Sequence, residues 1–105
     1  MILLCKLIIG HFFGDYVLQT DFIARGKNHK APIPGISFWQ ILAAHAAMHA
    51  GVVWYLTGNG AFAMAEFCLH ALIDYAKCDG RISFNTDQAL HVICKAVYVG
   101  VLVWT

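Results

Sequence analysis

Four pairs drawn from histidine and aspartate stand four residues apart in this chain: His11 with Asp15, His45 with His49, His70 with Asp74, and Asp87 with His91. On a helix that spacing puts both members of a pair on one face. Imidazole and carboxylate together form a donor set suited to zinc, manganese or iron, zinc first among them. A lone buried histidine is more often a hydrogen-bonded core residue than a ligand, but four pairs on four segments point to a shared centre. All eight residues are therefore read as ligands of one or two divalent ions. Asp15, Asp74 and Asp87 are the candidate catalytic carboxylates, one of them free to act as a general base.

The elements that must position these pairs are apolar. The chain has 105 residues, 60% of them hydrophobic and 12% charged, with a formal charge of +1. That balance favours a single membrane domain and gives no nucleic-acid footprint. Four segments predict helices: about Ile2 to Ala24, Ile36 to Leu56, Ala61 to Lys77 and Thr86 to Trp104. The second has no formal charge and is long enough for a hydrocarbon core of about 30 Å. The expected fold is all-α, an integral membrane four-helix bundle made of two helical hairpins over residues 1–105.

Pro32, Pro34 and Gly35 separate the first two segments, and Gly58-Asn59-Gly60 forms a tight turn between the next two. Gly80 ends the third, and Asn85 or Thr86 caps the fourth. No basic run precedes the first apolar segment and no small-residue cleavage pattern follows it, so a retained helix is expected there. Arg25, Lys27 and Lys30 in the first loop, and Lys77 and Arg81 near the third, make both charged loops cytoplasmic, with both termini outside the inner membrane of a bacterium. Trp39, Trp54, Tyr55 and Trp104 suit the two interfaces, and Lys6 snorkels to the outer one.

Counted from the cytoplasmic ends, Asp15 and His45 share a level and His11 and His49 share the next; Asp74 and Asp87, and His70 and His91, match likewise. The segment His11-Phe-Phe-Gly-Asp15-Tyr16 is echoed in His70-Ala-Leu-Ile-Asp74-Tyr75, which suggests two half-sites. Glu66 and Lys95 lie one turn further out and are expected to pair across two helices. Gln19 and Gln40 could add hydrogen bonds near the cytoplasm, and Asp21 could sit at the mouth. His29 reads as a surface residue, Tyr16 and Tyr75 as packing or interface residues. Cys5, Cys68, Cys78 and Cys94 have no CxxC spacing and read as unpaired packing residues.

The stretch HFFGDYVLQTDFIARGK from His11 to Lys27, with the later HAAMH, HALIDYAK and DQALH, resembles a group of small bacterial and phage membrane proteins classed as a domain of unknown function. The resemblance covers nearly the whole chain and implies four helices but no activity. A looser similarity, in the spacing of His and Asp on apolar helices, is to membrane-bound metal-dependent hydrolases. Together these readings lead to a metal-dependent hydrolase acting on a membrane-associated substrate, lipid-linked and anionic, with phosphate as one such group. Arg25, Lys27, Lys77 and Arg81 would rim its cytoplasmic opening. Translocation of metal ions or protons along the same residues is the alternative, as is a structural protein whose polar groups glue its helices. Paired axial histidines would also suit haem, although the neighbouring aspartates argue against it. Membrane lipid is the expected surrounding, and a homo-oligomer would cover more helix surface.

Overall fold

A computed structural model describes residues 1–105 as five helices with no strand. Helix α1 spans Ile2–Phe12 and runs on into a π-helical turn at Phe13–Val17. A short α2 covers Asp21–Gly26, followed by α3 at Phe38–Thr57, α4 at Gly60–Cys78 and α5 at Phe84–Trp104. The first segment is thus not the single helix that its hydropathy predicts. The π-turn closes an i to i−5 bond from Leu18 N to Phe13 O at 2.8 Å, after which Thr20 starts α2 by accepting a hydrogen bond from Ile23 N.

The other boundaries follow local chemistry. Gly58 ends α3 with φ +66°, a left-handed conformation that glycine adopts without a Cβ penalty, and Asn59 caps α4 through Phe62 N. Gly80 turns the chain after α4 with φ +78°. The cap of α5 is Ser83, which accepts from Thr86 N, rather than Asn85 or Thr86 themselves.

The four long helices close into a ring: α1 packs on α3, α3 on α4, α4 on α5, and α5 back on α1, with α2 lying against α3. Inside this ring the usual distribution of polarity is reversed. The buried residues of α4 are Ala63, Glu66, His70 and Asp74, and those of α5 are Asp87, His91, Lys95 and Tyr98. An i, i+4 stripe that would be aliphatic in a soluble bundle is ionisable here. The outside carries the apolar side chains, among them Phe13, Val17, Met64, Leu72, Ile93 and Val97, and Tyr55 and Trp104 are about nine-tenths exposed at 89% and 91%. The one hydrophobic cluster in the interior, Leu7, Val53 and Tyr98, lies beyond Lys95 toward the C-terminal end of α5.

By length and composition, α5 is the helix that is apolar enough to cross a membrane, and only a minority of its residues are buried in the bundle. In α3, which has no formal charge, Gln40, His45 and His49 dilute the apolar run that Ile36 to Leu56 suggested. All four cysteines are free, as expected, but none is buried, and only Cys94 packs against the hydrophobic cluster.

Candidate metal centre

The π-turn is the first device that builds the site. It rotates Asp15 inward at a point where Gly14 leaves room for α3: a Cβ on Gly14 would lie 2.6 Å from His49 Nε2 and closer still to Cε1 of the same ring. Asp15 Oδ1 then stands 2.9 Å from His49 Nε2, 3.1 Å from His45 Nε2 and 3.6 Å from His70 Nε2. Three imidazoles from two helices therefore converge on one carboxylate oxygen, and all three histidines are buried.

Two details separate this arrangement from an ordinary hydrogen-bonded core. His49 Nε2 and both ring nitrogens of His70 have no hydrogen-bond partner, despite the short distances to Asp15. A buried polar atom without a partner costs free energy, and its lone pair is available to a cation. The ligand atoms of Asp15, His45, His49 and His70 also lie within 4.8 Å of one another. Ligands about 2.0–2.2 Å from a tetrahedral zinc are about 3.4 Å apart, so the separations around Asp15 bracket what a shared ion needs. The donor set fits a divalent metal.

The remaining pairs surround this group. His11 Nε2 is 3.5 Å from Asp15 Oδ2 and makes a 2.9 Å hydrogen bond with Gln88 Oε1. His91 Nε2 hydrogen-bonds Asp74 Oδ1 at 3.1 Å and lies 3.5 Å from Asp87 Oδ1. His70 stacks between His49 and His91, with ring centroids 3.7 Å and 4.2 Å away. Two further groupings, His11 with His70 and His91, and Asp15 with Asp87 and His91, have ligand atoms close enough for an ion. All eight residues singled out by spacing thus meet in one place, although not level by level as counted: Asp15 is nearer His49 than His45, and Asp74 hydrogen-bonds His91.

Glu66 and Lys95 form a buried ion pair, and Tyr98 Oη donates to Glu66 Oε2 at 2.8 Å. Glu66 Oε1 also lies 3.5 Å from His70 Nδ1. A proton on that nitrogen, facing the carboxylate, leaves Nε2 of His70 as the ligand atom.

Several residues are not where the spacing put them. Lys27 does not rim an opening: it is 4% exposed, and its Nζ donates to Asp74 Oδ2 at 2.7 Å. Gln40 is exposed and adds no hydrogen bond to the site, while Gln19 only donates to the backbone carbonyl of Asp15. Asp21 is exposed, 3.9 Å from Arg25. His29 is half-buried, stacked on Tyr75 with centroids 3.8 Å apart, and hydrogen-bonded to Asp79 at 3.0 Å. Asp79 also accepts from Arg81 at 2.6 Å, and these two partners hold its carboxyl well below the usual carboxylate range. Gln88 carries no signal in the pair spacing, yet it belongs to the site. Its Nε2 donates to Asp15 Oδ2 at 2.9 Å and to Asp87 Oδ2 at 3.0 Å, joining three ligands. Its place three residues before His91 is the one sequence feature that points to it.

Residues 3–105 match the family described as "Protein of unknown function (DUF3307)". The chain belongs to this family. No curated protein and no solved structure matches the chain. Membership of DUF3307 fits the resemblance read from HFFGDYVLQTD, HALIDYAK and DQALH, and the converging histidines and aspartates are the chemistry that this DUF3307 chain offers.

Proposed function

We propose that the chain is a membrane-embedded metal-binding protein, a metal-dependent hydrolase acting on a membrane-associated, phosphate-containing substrate. The observation that carries this reading is the convergence of Asp15, His45, His49 and His70, with Nε2 of His49 and of His70 unpaired, inside a bundle whose interior is ionisable and whose surface is apolar. In water such a distribution would be unfavourable, because apolar surface would be hydrated while charges were desolvated. In lipid it is the favourable one, since charged side chains must face the bundle interior and pair there.

Asp15, His45, His49 and His70 would hold a divalent ion, which when bound would supply Lewis-acid polarisation of an ester oxygen and a nucleophilic water near neutral pH. Asp87 and His91, beside the ligands, with Asp87 linked to Asp15 through Gln88, are positioned to take and return a proton. Asp15 and Gln88 are the least enclosed members of the site, and they mark the side from which substrate reaches it. Arg25 and Arg81, both exposed on the charged loops, supply attraction for an anionic head group. The contact between His29 and Asp79 brings both charged loops to one end of the bundle, which supports the reading of that end as the cytoplasmic face and of both termini as outside. A closed site is favoured over a translocation path because Leu7, Val53 and Tyr98 plug the bundle beyond Lys95.

Elemental analysis of the protein purified in detergent without chelators is the direct test. Stoichiometric zinc, manganese or iron is expected, with loss in His45→Ala; a metal-free wild-type protein overturns the reading. Phosphate release from lipid phosphates tests the hydrolase assignment separately, and no turnover with any of these metals leaves a binding role alone. A reporter fused after Thr105 that signals from the cytoplasm overturns the orientation.

A further inference from the structure

The pair at Asp74 and the group at Asp15 differ in their source of positive charge. The interior holds four carboxylates, Asp15, Glu66, Asp74 and Asp87, each with a side chain no more than 6% exposed. It also holds two ammonium groups, Lys27 on Asp74 and Lys95 on Glu66. With every imidazole counted as neutral, as the ligands among them must be, two negative charges remain. One divalent ion cancels them, and a second would leave the same desolvated interior with two positive charges.

The geometry agrees with the charge count. Asp74 Oδ2 is 3.5 Å from His45 Nε2 and 3.4 Å from His70 Nε2, both atoms of the Asp15 group, and its Oδ1 is 3.1 Å from His91 Nε2, so Asp74 and His91 are the donors left for a second ion. Lys27 Nζ meets that carboxylate instead, 2.7 Å from Asp74 Oδ2. It is delivered by a segment fixed on both sides: Gly26 is buried against Ile41, and His29 is stacked on Tyr75 and bonded to Asp79.

We infer that the bundle holds a single divalent ion on Asp15, His45, His49 and His70, and that the ammonium of Lys27 is a tethered cation occupying the place of a second ion at Asp74 and His91. This rests on the metal reading above and makes the centre mononuclear through the docking of its first loop. Removing the tethered charge should open the second place.

The test is metal content and manganese electron paramagnetic resonance on detergent-purified wild type, Lys27→Arg and Lys27→Met, loaded with Mn²⁺ and desalted. Wild type and Lys27→Arg should hold one equivalent with the signal of an isolated ion. Lys27→Met should show up to a twofold rise in metal and a spectrum broadened by coupling between neighbouring ions. Two ions in the wild type overturn the inference whether or not Lys27→Met folds. One ion in both wild type and Lys27→Met removes the role given to Lys27 while the metal reading stands; Lys27→Gln, which keeps a polar head for Asp74, decides the same point if Lys27→Met is not stable. No metal in the wild type removes the metal reading itself.

Discussion

Asp15 and Asp74 occupy the same place in two H-x-x-x-D-Y segments, yet the chain treats them differently. Asp74 sits in regular α-helix, preceded by Ile73, and its charge is met by Lys27. Asp15 sits in a π-turn, preceded by Gly14, and meets four imidazoles, those of His11, His45, His49 and His70, but no ammonium. The ligand pattern is duplicated, whereas the neutralisation is not. One carboxylate is balanced by a cation that the chain carries; the other is faced by imidazole nitrogens alone. Identical spacing therefore gives an ion pair in one half of the bundle and, in the function proposed above, a cation site in the other.

The sharpest way to break this comparison is to neutralise each carboxylate in turn. Asp15→Asn should lower metal affinity by more than the roughly 10–100-fold typical of losing an outer partner, because a direct ligand is lost. Asp74→Asn should keep the metal and release Lys27 from its partner. Equal loss of metal in both variants, measured by competition with a chelating dye, would erase the distinction.

Gly14 gives the next effect. Glycine to alanine inside a helix is ordinarily favourable by about 1 kcal/mol, but here the new Cβ meets the ring atoms of His49 and must displace a ligand. Overpacking of this kind costs about 1–3 kcal/mol, so Gly14→Ala should lower both thermal stability and metal affinity. Gly51→Ala on α3, where a Cβ meets nothing within 4 Å, is the control and should be neutral or slightly stabilising. If Gly14→Ala binds metal as tightly as wild type, the close approach of α1 to His49 is not what shapes the site.

A smaller effect is due at Gln88, which connects His11, Asp15 and Asp87 without being a ligand in this reading. Gln88→Leu should weaken metal binding by about tenfold, the lower end of the outer-partner range. It should also shift the pH profile of any hydrolysis, which a purely structural role would leave in place.

How much of this is legible in the sequence depends on how local each cause is. The i, i+4 pairs and the one-turn offset of Glu66 and Lys95 are carried by helical periodicity, so their meeting can be read directly. The turn at Gly58-Asn59-Gly60 has its own chemistry. The π-turn has no such signature apart from a lone glycine before Asp15, because its hydrogen bond is decided by how α1 fits α3. Lys27 is misplaced by the sequence for a related reason: a lysine between Gly26 and Asn28 reads as a solvated loop charge, and only the docking of that loop on α4 turns it inward. Hydropathy overstates four uniformly apolar spans because the ligands themselves dilute the helices that carry them.

The docking of that loop is itself open to test, with the smallest effect. Lys27 reaches Asp74 because His29 and Lys30 are held at Asp79, Lys30 Nζ being 3.5 Å from its carboxylate. Arg81 and His29 depress the Asp79 carboxyl below its ordinary value. A depressed carboxylate contributes stability that is present above its unfolded pKa and lost as pH falls through the folded one, so the loop should stay docked through neutral and mildly acidic solution and loosen progressively only below about pH 5. Hydrogen exchange at Asn28 to Lys30, expressed as protection relative to the free peptide, should follow that course. Asp79→Asn should lower protection at neutral pH and flatten its acid dependence. Loosening of the wild-type loop near neutral pH would mean that Asp79 is not its anchor, and the difference between Asp74 and Asp15 would then need another cause than a strapped lysine.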